Sequence, residues 1–78
     1  MTERYFTKGE AEALQGVRIR TTVQFSGVPR GTAGTVAKAD QSSRDGYTVA
    51  IQWDLPGRDR PLVDWFGKAE FERYLERL

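Results

Sequence analysis

The 78 residues contain neither a cysteine nor a histidine. A domain of this length buries a smaller share of its surface than a large one, and small scaffolds ordinarily add disulfides or a structural metal. Disulfides are impossible here, and zinc has lost its usual thiolate and imidazole ligands. The fold must therefore rest on aromatic and β-branched side chains, or on an oligomer interface. Nine aromatic residues are available for the purpose. The same two absences remove Ser-His-Asp and Cys-His catalysis from the chain. No metal and no cofactor is expected.

Hydrophobic periodicity divides a single domain, residues 1–78, into three parts: a helical arm over 1–16, a strand-rich body over 17–66, and a helix over 67–78. Thr7 and Glu10 have capping-box spacing, Ala11 to Gln15 are fair helix formers, and Gly16 is a natural stop. Tyr5 or Phe6 is expected to staple the first turn or dock on the body. From Val17 the period changes to two. Val17, Ile19, Thr21, Val23 and Phe25 alternate with Arg18, Arg20, Thr22 and Gln24, predicting a half-buried strand over 17–25. Gly27, Pro29 and Gly31 mark a loop.

A second, shorter strand is expected over 32–39, weakened or bulged near Gly34, followed by a polar hairpin connection over 40–46. Tyr47, Val49, Ile51 and Trp53 make the clearest core strand, and Pro56-Gly57 signals a further turn. In the fourth strand, 61–65, Asp64 shares a face with Leu62 and Phe66, so Val63 and Trp65 are expected to point inward. Phe71, Tyr74, Leu75 and Leu78 form one apolar stripe at helical spacing. The most economical architecture is mainly β: a small antiparallel barrel of four to five strands, with a short N-terminal helix and a C-terminal amphipathic helix.

Residues 17–65 resemble an SH3-like small barrel of bacterial type. The resemblance is carried by the 17–25 strand, the loop Gly27-Val28-Pro29-Arg30-Gly31-Thr32, and the segments Gly34-Thr35-Val36-Ala37 and Tyr47-Thr48-Val49. A similar step between the first two strands occurs in KOW-type barrels, the nitrile hydratase beta subunit and the photosystem I accessory subunit of the PsaE kind. Gly34 to Ala37 with Asp40-Gln41-Ser42 is most similar to the last of these. Asp64-Trp65-Phe66 and the final helix are similar to short bacterial proteins built on the same barrel. The resemblance implies fold first, and then an accessory or docking role.

Charge sharpens the functional expectations. The net charge is +1, but residues 17–63 hold seven cations against four aspartates, while both flanks are acidic. The leading expectation is a non-catalytic module that binds a partner protein, since small barrels offer a sheet edge, a loop-rimmed groove and a few aromatics. Its contact residues are expected to be Val28, Pro29 and Arg30 in the first loop and Arg58 and Arg60 in the second. Trp53 and Trp65 would be anchors where exposed.

The alternative is nucleic-acid binding through Arg18, Arg20, Arg30, Lys38 and Arg44. A third reading, an oligomeric small-barrel enzyme, has one precedent in the trimethoprim-resistant plasmid dihydrofolate reductases. Their Val-Gln-Ile-Tyr motif would fall near Leu62-Val63-Asp64-Trp65 and does not match, so no catalytic residue is assigned. Residues 1–16 carry five charges and no apolar core segment, so neither a signal peptide nor a membrane association is expected, and a cytoplasmic location is the default.

Overall fold

A computed structural model describes residues 5–24, 27–43, 46–55 and 60–78. Helix α1 spans Lys8–Leu14. Its start is the expected capping box: Thr7 Oγ1 accepts from the Glu10 amide at 3.2 Å, and the Thr7 amide donates to Glu10 Oε1 at 2.9 Å. Ala11 and Leu14 face the core. The helix is closed by a tight turn in which the Val17 amide donates to the Leu14 carbonyl at 2.9 Å and Gly16 takes φ +85°. A glycine at the third position with positive φ is the signature of a type II turn.

Strand β1, Arg18–Thr21, is shorter than the alternation over 17–25 predicts. The chain bends away because the Thr21 hydroxyl engages both the amide and the carbonyl of Val23, at 3.2 and 2.7 Å. Such local bonds offer the backbone an alternative to the ladder. Of the predicted strand, Phe25 lies outside the described residues. Strand β2, Ala33–Ser43, is correspondingly longer than expected and includes most of the predicted hairpin connection. Its polar end is paired with β3, Gly46–Trp53, so that Asp40 stands opposite Thr48 and Gln41 opposite Tyr47.

The register shifts in β2 fall between Val36 and Lys38 and between Gln41 and Ser43 rather than at Gly34 itself. Gly34 serves packing instead. A Cβ there would lie 2.9 Å from the Gln52 carbonyl oxygen and from Ile51 Cγ2, and 3.0 Å from the Trp53 ring.

Strand β4, Val63–Phe66, leads into helix α2, Lys68–Tyr74, and then strand β5, Leu75–Arg77. The predicted helix over 67–78 is therefore seven residues of helix followed by three of strand. In a continued helix the Leu78 amide would donate to the Tyr74 carbonyl. That carbonyl is occupied by the Thr22 amide at 2.7 Å and the Thr22 hydroxyl at 2.9 Å, while the Leu78 amide donates to Arg18 at 3.1 Å. The last residues are thus drawn onto β1.

Among the described residues, the five strands form one antiparallel sheet in the order β4-β3-β2-β1-β5, with β4 and β5 as its edges and no closure between them. Ile19, Val36, Val49, Ile51, Trp53, Phe66 and Leu75 supply its buried face, with Phe6, Leu14 and Phe71 packed in the same core. Phe6 docks on the body: it exchanges two backbone hydrogen bonds with Tyr47, at 2.9 and 3.0 Å, and its ring meets Phe71 edge-on at 5.6 Å. Among the described residues, no helix is long and apolar enough to cross a membrane.

Candidate docking groove

The site begins with a reversal of the expected phase of β4. Val63 and Trp65 are 42% and 48% exposed, whereas Phe66 is buried and Asp64 is half-buried. A carboxylate can take the covered side because the Trp53 indole Nε1 donates to Asp64 Oδ2 at 2.8 Å. Each partner satisfies the polar group that the other brings into the interior. The Trp53 ring then meets Phe66 edge-on at 6.3 Å, which fixes the inner face of the strand. Trp65 is left on the outer face, opposite Ala50.

Beyond β4 lies a groove of about 520 Å³, lined by Val23 and Gln24 after β1, by Asp64, Trp65 and Phe66 of β4, and by Glu70 and Tyr74 of α2. Local chemistry accounts for each wall. The Thr21 turn places Val23, 36% exposed, at the rim. Glu70 Oε1 accepts from the Gly67 amide at 3.2 Å, anchoring the first turn of α2. Tyr74 is held by its carbonyl at the helix end, with the Arg73 guanidinium 5.5 Å from its ring centroid. The ionisable lining groups described are Asp64, Glu70 and Tyr74, so the groove is aromatic, apolar and negatively charged. Trp65 also borders a second depression on the outer face with Asp40, Gln41 and Thr48, so its ring forms a ridge between the two.

The other expected site residues are dispersed. Val28 and Trp53, 1% and 3% exposed, belong to the core, which removes both from the contact set. Pro29 and Arg30 are exposed on a turn closed by the Thr32 amide and the Pro29 carbonyl at 3.1 Å, with Gly31 at φ +87°. Arg30 lines a depression with Arg20 and Glu76, away from the groove. Arg60 is exposed, and Arg58 and Arg44 lie outside the described residues.

Of the outward arginines on β1, Arg18 forms an ion pair with Asp54 and donates to Thr35 Oγ1 at 2.7 Å. Arg20 forms an ion pair with Glu76, its Nε 2.7 Å from the carboxylate. The hydrogen bond from Arg18 pulls the Asp54 carboxyl below its ordinary range, and Asp54 in turn raises the Arg18 guanidinium. Lys38 is exposed beside Ala50, in the same row as Trp65. Among the described basic residues, Arg20 and Arg30 line one depression that includes neither Arg18 nor Lys38, and Arg18 and Arg20 are already matched by carboxylates.

Sequence reasoning did not single out Val23, Asp64, Glu70 or Tyr74. Val23 and Tyr74 carried apolar periodicity that reads as core, and Glu70 reads as a solvated helix residue. The one available signal was Asp64 among Val63, Trp65 and Phe66, a charge within an aromatic strand. No family profile, curated protein or solved structure matches the chain.

Proposed function

We propose that this chain is a non-catalytic, cytoplasmic docking module, SH3-like in the course of its strands, that holds a segment of a partner protein in the groove between β4 and α2. The observation that carries the reading is Trp65: a large aromatic, half exposed, on the rim of an apolar groove in a domain with little apolar surface to spare. Exposed aromatics beside a pocket are the usual anchors of protein interfaces. The two carboxylates of the lining favour a segment that carries a basic residue. The return of β5 to β1 after a short helix supports the barrel-like reading of the topology. Nucleic acid is the weaker partner, because Arg18 and Arg20 are engaged by Asp54 and Glu76.

The test is photo-crosslinking from a benzophenone amino acid at Val63 in cells of the source organism, with nuclease treatment before capture. One protein species, identified by mass spectrometry, is expected to crosslink to the otherwise native chain and to be lost with Trp65→Ala. Its retention by Arg30→Glu would place the contact at the groove rather than at the loop. Crosslinks to nucleic acid alone, or a protein crosslink indifferent to Trp65→Ala, would reject the reading.

A further inference from the structure

Strand β4 ends the sheet, and its open side runs along the groove. The orientation of its backbone follows from one hydrogen bond, Trp53 amide to Leu62 carbonyl at 3.0 Å. In an antiparallel ladder, residues bonded to the neighbour alternate with residues whose amide and carbonyl face away. Leu62, Asp64 and Phe66 therefore face β3 with their backbone groups, and Val63 and Trp65 present theirs to the open side. Among the described residues, no other backbone group bonds to that side of Val63 or Trp65.

An edge with unpaired groups is a template for another strand, and proteins guard such edges with charge. Asp64 is the charge here. On a second copy of the chain the same edge carries the same carboxylate, so two β4 edges aligned in register would bring like charges together. The lining adds Glu70 to that negative side. The guard therefore discriminates: it opposes self-pairing and favours a cation.

Resting on the docking reading above, we infer that the partner segment binds by strand addition to the β4 edge, as an extended stretch with a lysine or arginine flanked by apolar residues. The cation stands opposite Asp64 on the inner side, within reach of Glu70. The two flanking residues stand opposite Val63 and Trp65, and their amides and carbonyls complete the ladder there. Their side chains lie on the outer face beside the Trp65 ring. This arrangement uses the period-two geometry of a strand to read backbone and charge in a single contact.

The probe is the fluorescein-labelled peptide acetyl-Thr-Val-Lys-Val-Thr-amide, titrated with the full chain and followed by anisotropy. Replacing its lysine by glutamate is expected to weaken binding by about tenfold or more. Methylating the amide nitrogens of both valines is expected to abolish binding, whereas methylating the lysine amide leaves it intact. On the protein, Val63→Pro removes an outward amide and leaves the β3 ladder complete, so it should keep the thermal midpoint and lose the peptide.

Equal effects of methylation at valine and lysine would overturn strand addition while leaving the docking reading to the crosslinking result. Equal binding of the lysine and glutamate peptides would overturn the basic specificity. Absence of binding by all the peptides would overturn the inference, whereas loss of the Trp65-dependent crosslink would overturn the docking reading beneath it.

Discussion

At the scale of single residues, Gly34 and Asp64 make opposite demands on the same tryptophan. Gly34 leaves no room for a side chain beside the Trp53 ring, and Asp64 takes the proton-bearing edge of its indole. Gly34→Ala is expected to cost about 1–3 kcal/mol through overpacking, read from urea denaturation. An unchanged midpoint would show that the surrounding strands yield easily. Asp64→Ala leaves the indole N–H without its acceptor and should cost about 1–3 kcal/mol, with Asp64→Asn losing less because an oxygen remains. Equal losses for the two variants would refute the hydrogen-bond argument. The phase of β4 was not legible in the residues 61–65. Polar-out, apolar-in alternation is a rule about unpaired polar groups, and Asp64 has a partner eleven residues away that no local pattern could supply.

At the scale of elements, α1 was legible because its capping box is a matter of spacing alone, closed within three residues. The arm is held further by Lys68 of α2, whose Nζ lies 2.8 Å from Glu10. Thr7→Ala should lower stability by about 1 kcal/mol, seen as a lower midpoint with no change in the β signal. No loss would mean that the helix is carried by Ala11 and Leu14 alone. The division of residues 68–78 into α2 and β5 was not legible. Phe71, Tyr74, Leu75 and Leu78 keep a helical period, yet the Tyr74 carbonyl is claimed by Thr22 and the Leu78 amide by Arg18. The outcome buries Phe71 and Leu75 and leaves Leu78 65% exposed. Leu75→Ala is therefore expected to cost about 2–5 kcal/mol and Leu78→Ala almost nothing; similar losses would restore the simple amphipathic helix.

At the scale of the whole molecule, the radius of gyration of 12.1 Å is close to the roughly 11.5 Å expected for a folded chain of this length. Ion pairs tie distant parts of the chain, Arg18 to Asp54 on the surface and Glu10 to Lys68 half-buried. Both carboxyls are lowered in the folded state, Asp54 by the hydrogen bond from Arg18 and Glu10 by that from Lys68. A lowered folded value means that the contribution is complete above the unfolded pKa of about 4 and is lost as pH falls through the folded value. Thermal melts between about pH 6 and 2 should show a smaller acid-induced fall for Asp54→Asn than for the native chain; parallel curves would show that the pair is screened to insignificance.

The alternation between Tyr47 and Trp53 pointed to a mainly β domain, and the lack of cysteine and histidine to a core of aromatic and β-branched side chains. Those properties are local or compositional, and they survive any arrangement of the strands. Where β1 stops, where α2 gives way to β5, which side of β4 is covered and which tryptophan reaches solvent were decided only by folding. The end of β1 is set by the Thr21 hydroxyl on Val23, a local bond that apolar alternation does not reveal. The others depend on hydrogen bonds between separate segments, which form only once the sheet has brought their partners together.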